Sequence, residues 1–338
     1  MSTSSNMTAT KALKDYIDSG AIKRLGEQIS AADPAFPLPA FIRSASRGLG
    51  KLEFTERTRH VAAVMADKLP RQRARALEIL IDAMPPPLED TEGMFSERYW
   101  LWPVSDYVRD YGAEQSTEAL RCCYYLTRSF TAEFAIRPLL ARDADRTLNQ
   151  LLAWTDDENP HVRRLCSEGP RPRLPWASRL ALEPELVWPI LDRLKADPSR
   201  YVQKSVANHL NDIGKTHSTW VLDKLQPWID SKCAATEWIA RHAARSHIKA
   251  GDPKALALFG YGPVALRDVR MTIESAQISH GEQATVTLEF CLDVKTPGQT
   301  VLLDWVMDYA REGGRRSEKV FKGKVLSPSA GEQLRIVF

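Results

Sequence analysis

Apolar residues recur at spacings of three and four along most of this chain, and that period predicts helices. Across residues 57–84, Val61, Val64, Met65 and Leu69 are followed by Leu77, Leu80 and Ile81, and Pro85-Pro86-Pro87 ends the run. An aromatic stretch, Tyr99-Trp100-Leu101-Trp102-Pro103, leads into a helix through Tyr111. Ser116 opens the next helix, which Leu120, Tyr124 and Leu126 carry towards Phe134. Further helices are predicted over 147–154, from Asn159-Pro160 to Gly169-Pro170, and over 184–195, 201–213, 220–229 and 236–249.

Two of these segments repeat. DDENPHVRRLCSEG and ADPSRYVQKSVANH align at an offset of forty residues, with Asp157 on Asp197, Val162 on Val202 and Arg164 on Lys204; TEWIARHAARSHIK is a weaker third copy. An Asp/Pro turn entering a V-R/Q-R/K helix is the grammar of HEAT-like repeats, in which a unit buries its apolar face only against its neighbours. An ordinary helical bundle is the other architecture compatible with the pattern.

Past Gly260-Tyr261-Gly262-Pro263 the period drops to two: Val269-Met271-Ile273, Ala284-Val286-Leu288 and Val301-Leu303-Trp305 alternate, with turn signals at His280-Gly281 and Pro297-Gly298. These strands predict an immunoglobulin-like β-sandwich. Such a sandwich takes about seven strands and roughly one hundred residues. Ala265 to Phe338 gives 74, so the module is expected to be truncated. The expected architecture is mainly α: a HEAT-like helical-repeat solenoid over 1–262 and a β module over 265–338.

Hydrophobic content of 43% and charged content of 26% suit a globular protein. No apolar run is long enough to span a bilayer and no signal peptide is visible, so a cytoplasmic, nucleoid-associated protein without a membrane partner is expected. Five cysteines without CxxC spacing point to reduced thiols, and the histidines form no metal motif. Neither a GxSxG elbow nor a phosphate-binding glycine loop occurs, so no metal, nucleotide or other cofactor is expected.

The net charge of +3 says little, but its distribution says more. Between His161 and Arg179, Arg163, Arg164, Arg171, Arg173 and Arg179 face one acid, Glu168, an excess of four positive charges. That density suits a polyanion, and it equally suits a solvated charged face. Nearby, Glu133 sits among Phe130, Phe134 and Ile136. Glu168 ends a basic helix, Trp176 follows in a proline-rich turn, and Asn208, His209, Asn211 and Asp212 crowd one helix end. Taken singly, each reads as an ion pair or a cap.

Together the segments FAIRP, NPHVRRLCSEGPRPRLPWA and YVQKSVANHLNDI resemble the signature segments of AlkC-type DNA alkylation repair glycosylases, within the AlkC/AlkD HEAT-like superfamily. The resemblance covers most of the chain from Tyr99 to Gly262. It implies a monofunctional DNA glycosylase that hydrolyses the N-glycosidic bond of cationic alkylated bases, 3-methyladenine and 3-methylcytosine, in duplex DNA. It implies a bent duplex against the concave face, without base flipping. Glu133 and Glu168 match the family's active-site acids and Trp176 its active-site aromatic. Arg163, Arg164, Arg171, Arg173, Arg200, Lys204, Asn208 and Asn211 fall on the implied DNA face. The partner is then double-stranded DNA containing alkylated bases, engaged by a monomer. The competing reading is a non-catalytic HEAT-like DNA- or protein-binding scaffold.

Overall fold

The computed structural model describes residues 11–91, 98–262, 264–275, 277–279, 281–293, 300–327 and 332–337; His280 and the Pro297-Gly298 turn fall outside them. The chain divides into two compact units, 1–216 with 231–243, and 217–230 with 244–338. The division therefore falls earlier in the chain than the change of period after Gly262.

The first unit is helical. It holds α1 (Ser19–Ala32), α2 (Leu38–Ser46), α3 (Phe54–Lys68), α4 (Arg73–Asp82), α5 (Trp102–Tyr107), α6 (Ser116–Ser129), α7 (Arg137–Arg142), α8 (Ala144–Trp154), α9 (Pro160–Glu168), α10 (Pro184–Arg193), α11 (Arg200–Gly214) and α13 (Ala234–Ala243). The second unit holds α12 (Ser218–Asp230), α14 (Arg245–Lys249), α15 (Pro253–Leu258) and the strands.

The repeat seen in the sequence is a repeat of turn geometry. Asp157 Oδ1 accepts the amide of Asn159 at 2.8 Å, and Asp197 Oδ1 accepts that of Ser199, also at 2.8 Å. These aspartates turn the chain and free the next residue to begin α9 or α11. Asn159 then caps α9 by accepting the His161 amide at 2.9 Å, with Pro160 in the first turn, where its missing N–H costs nothing. Arg163 links successive turns: Nε meets Asp197 Oδ2 at 2.6 Å, and Nη1 reaches the Asp157 and Glu158 carbonyls.

The apolar stripes bury Val162 and Leu165 on α9 and Val202, Val206 and Leu210 on α11, each side chain contributing about 1.5–3 kcal/mol. The contacts run in sequence: α6 packs on α9, α9 on α11 and α11 on α13, while α8 and α10 pack on each other and on α9. This is the nearest-neighbour stacking of a HEAT-like solenoid.

Four predicted helices differ in extent, and the one expected through Tyr111 is α-helical only to Tyr107 and continues as a π-helical turn over Val108–Gly112. The run over 57–84 is broken at Leu69-Pro70, because Pro70 has no N–H to continue a helix, giving α3 and α4. The run over 236–249 divides at Ala244 into α13 and α14. The helix from Ser116 stops at Ser129, where Phe130 leaves the helical region at φ −156° and ψ −112°. Residues 130–136 form a turn instead, and Glu133 lies in it.

The strands are β1 (Ala265–Ile273), β2 (Val286–Asp293), β3 (Val301–Ala310), β4 (Arg316–Leu326) and β5 (Gln333–Val337). All pairings are antiparallel, in a β1-β2-β5 sheet and a β3-β4 pair. Phe290, Leu292 and Ile336 from the first sheet are buried against Val301, Leu303 and Leu326 from the second, as in an immunoglobulin-like sandwich. Among the described residues no helix is long and apolar enough to cross a membrane.

Candidate functional site

Glu133 and Glu168 come from different elements, a turn and a helix end, and Arg164 joins them. Arg164 Nη1 donates to Glu133 Oε2 at 2.7 Å, and its Nη2 stands 3.7 Å from Glu168 Oε1. The i,i+4 spacing puts Arg164 and Glu168 on one face of α9. The packing of α9 on α6, which ends at Ser129, brings that face to the 130–136 turn. Thr131 Oγ1 also donates to Glu133 Oε2.

The network continues past Glu168. Arg171 Nη1 donates to Glu168 Oε1, and its Nε and Nη2 hold Asp212 Oδ2 at 2.9 and 2.7 Å. Ser205 Oγ donates to Glu168 Oε2 at 2.6 Å, and Lys215 Nζ meets Asp212 Oδ1 at 3.1 Å. Tyr201 lies under Arg164, 5.1 Å from guanidinium carbon to ring centre. His209 bonds through Nδ1 to the Ser167 carbonyl at 2.8 Å, steadying the helix end that presents Glu168.

Charge balance sets the protonation states. Burial alone raises the Glu168 pKa, but Arg164, Arg171 and the Ser205 hydroxyl outweigh it and hold the carboxyl below its ordinary value. Burial likewise opposes the charge on Arg164, and Glu133, Tyr201 and Glu168 more than restore it. Tyr201 is pushed up to about 12, chiefly by burial. His209 is pulled down to about 4 by burial, so its ring is neutral at pH 7.

Trp176 departs from the rest. Its backbone is left-handed at φ 64°, and its indole is 74% exposed. The indole is 6.1 Å from Trp102, which stacks on Phe134, the neighbour of Glu133, at 5.3 Å. An exposed aromatic in a backbone conformation unusual for a β-carbon-bearing residue makes this loop a candidate contact surface.

The remaining predicted residues separate by exposure. Arg200 and Lys204 are exposed, Arg200 lying 4.1 Å over the Trp238 ring, while Arg173 and Asn208 are half-buried. Four predicted DNA contacts are turned inward instead: Arg164 and Arg171 are held by the carboxylates already described, and Arg163 and Asn211 face the next repeat. Arg163 is spent on Asp197 and two carbonyls, and the buried Asn211 donates Nδ2 to the Ala243 carbonyl at 2.8 Å, tying α11 to α13. Both form repeat-to-repeat joints, which need polar side chains as a nucleic-acid face does. Tyr201 and Ser205 were not singled out from the sequence, and Asp212 was noted only within a crowded helix end. Their spacing of four and then seven places them on one face of α11, and polar residues recurring at helical period inside an apolar stripe are the signal. A cleft of about 590 Å³ between α6 and α8, lined in part by Arg121, Tyr124 and Trp154, shares no residue with this network.

The comparisons agree with this architecture. Residues 129–248 match the family model of DNA alkylation repair enzymes, and residues 267–337 match the C-terminal immunoglobulin-like domain of uncharacterised protein YhaZ. YhaZ from Bacillus subtilis (strain 168) is 37% identical over 318 residues, covering 92% of this chain and 85% of its own length. The structure of Pseudomonas fluorescens alkylpurine DNA glycosylase AlkC, bound to DNA containing an abasic site analog, superposes with a TM-score of 0.81 at 38% identity, covering 97% of this chain and 90% of that one. The helical-repeat fold, the carboxylate–arginine network and the appended sandwich together define a DNA alkylation repair protein. The chain belongs to that family, in its AlkC branch.

Proposed function

We propose that this protein is a monofunctional DNA glycosylase, acting as a monomer without cofactor on double-stranded DNA containing 3-methyladenine or 3-methylcytosine. The observation that carries the proposal is the pair of carboxylates held by one guanidinium, beside a loop that projects Trp176.

Methylation gives the base a positive charge and makes it a good leaving group. Breaking the C1′–N bond leaves oxocarbenium character on the sugar, which fixed carboxylates stabilise. The two acids differ in what they have left to offer. Glu168 uses both oxygens within the chain, accepting from Arg171 and Ser205. It therefore stays anionic, a fixed charge. Glu133 is engaged through Oε2 alone, and among the described residues Oε1 has no partner. Oε1 is the oxygen suited to orient a water at C1′ and take its proton. The Trp176 face packs against the sugar or the cationic base, an attraction of about 0.5–2 kcal/mol. Arg173, Arg200, Lys204 and Asn208 grip phosphates, and selectivity comes from the lability of the cationic lesion, with the base left in the stack.

One observation favours the non-catalytic scaffold: both acids are ion-paired, as structural acids are. Incubation with methylated duplex DNA, followed by assay of free bases, separates the two. The glycosylase releases 3-methyladenine and 3-methylcytosine, and Glu133→Gln abolishes release while duplex binding is kept. Failure of the wild type to release either base overturns the proposal.

A further inference from the structure

The loop over 169–178 supplies Arg171, Arg173 and Trp176, and a side chain from outside the loop closes it. Arg137, in the first turn of α7, is 8% exposed. Its Nη1 donates to the Gly169 carbonyl at 2.9 Å and the Arg171 carbonyl at 2.8 Å, and its Nη2 to the Ser178 carbonyl at 2.6 Å. These acceptors lie at both ends of the loop. Gly169 also follows directly on α9, where the helix dipole favours a cation.

Arg171, bonded to Glu168 and Asp212, and the buried Leu174 hold the first part of the loop, while among the described residues its Ser178 end takes a side-chain hydrogen bond from Arg137 alone. The loop's own backbone bonds, Ala177 N–H to the Leu174 carbonyl and Leu180 N–H to that of Pro172, are long at 3.2 and 3.3 Å. Yet Trp176 is kept at a positive φ, which persists only where surrounding contacts over-determine it. Close packing fixes the loop's root: a β-carbon on Gly169 would meet Ile136 Cγ2 at 2.7 Å, one residue before Arg137.

Among the described residues Arg137 has no carboxylate partner. Burial, and then the positive charge of Arg171, pull its pKa down. A buried guanidinium without a counter-charge is an expensive way to fill space, and an apolar side chain would serve packing better. Its planar fork does match three carbonyls at once, which a lysine ammonium on a flexible stem does not.

We infer that Arg137 is a positioning residue: it closes the 169–178 loop and so sets Trp176 and Arg173 for the substrate. The inference rests on the glycosylase reading above for what the loop positions, and on geometry alone for the closure.

The test uses the full chain with Arg137→Lys. Trypsin reports on the loop directly, because the Arg173–Leu174 bond lies inside it. Cleavage there is expected to rise at least about tenfold as local opening becomes cheaper. Turnover on methylated duplex is expected to fall by about a hundredfold, with affinity for unmodified duplex nearly unchanged, as misplacement of a positioned group demands. On a Trp176→Phe background the same change is expected to cost much less, since both act through one indole. Should lysine unfold the chain, as circular dichroism would reveal, Arg137→Gln is carried through the same assays. Unchanged cleavage at Arg173, or losses that multiply fully in the double variant, overturn the inference. A wild type that releases no base overturns the glycosylase reading and with it Arg137's part in turnover. The loop closure then stands or falls on the tryptic result.

Discussion

Arg164 donates to Glu133 at 2.7 Å from α9 into a turn thirty-one residues earlier in the chain, so one guanidinium joins the helix of the first repeat to the 130–136 turn. The same guanidinium stands 3.7 Å from Glu168, and its ring contact with Tyr201 fixes its plane. Two acids share a buried site because this cation lies between them and Arg171 also holds Glu168. Arg164 therefore belongs to stability and to the electrostatics of the site at once.

Replacing it separates the two. Arg164→Met removes the shared partner while Glu133 and Glu168 remain, and breaking a buried pair in this way costs about 3–5 kcal/mol. The loss should be larger at pH 8 than at pH 5, because protonating a stranded carboxylate relieves it. Urea melts of the variant and wild type at both pH values measure the difference. Equal losses at the two pH values would mean the carboxylates are screened by water.

Stability should rise with pH between about 4 and 6.5, because His209 is pulled down to about 4 in the folded chain. The unfolded chain binds a proton in that window and the native chain does not, so acid favours unfolding. The contribution of His209 is complete above pH 6.5 and is lost as pH falls towards 4. Its upper bound is about 3 kcal/mol, from 1.4 kcal/mol per unit. Glu168, whose folded pKa is lowered, adds a second loss at still lower pH. His209→Asn should flatten the slope above pH 4.5 in denaturant melts; an unaltered slope assigns it to another group.

Some of this was legible from residues alone. The Asp157 and Asp197 turns were, because they are local and occur twice in one register. The β module was, because strand period differs from helix period. The Glu133 turn was not: Leu126, Phe130 and Phe134 keep a spacing of four, which mimics a continuing helix, and nothing local shows that the chain leaves it at Phe130. The inward direction of Arg163, Arg164, Arg171 and Asn211 was not legible for a related reason, since charge and polarity give no direction and only packing shows what these side chains face. Glu133, Glu168 and Trp176 were picked out by likeness to a family, and their convergence through Arg164 and Trp102 is a property of the fold.

Trp176 should trade stability against turnover. Its indole is largely in solvent and its backbone is in the left-handed region, so Trp176→Gly relieves strain of about 1–3 kcal/mol, offset in part by the freedom glycine adds to the unfolded chain. The melting temperature is expected to hold or rise while release of methylated bases falls steeply. Trp176→Phe should keep more activity than glycine by retaining a ring. A large drop in melting temperature for the glycine variant would show that the indole is a packing element.

The cations should sort by exposure. Lys204→Ala and Arg173→Ala remove side chains open to a phosphate, so each should weaken duplex binding across sequences and reduce the slope of log affinity against log salt by about one. Arg163→Ala should leave that slope alone. It breaks the bidentate pair with the buried Asp197 instead, unlocking one repeat from the next, and should lower the melting temperature. Salt titrations of binding with thermal melts of the three variants distinguish them. If Arg163→Ala changes the salt slope as much as Lys204→Ala does, its guanidinium leaves Asp197 to meet DNA.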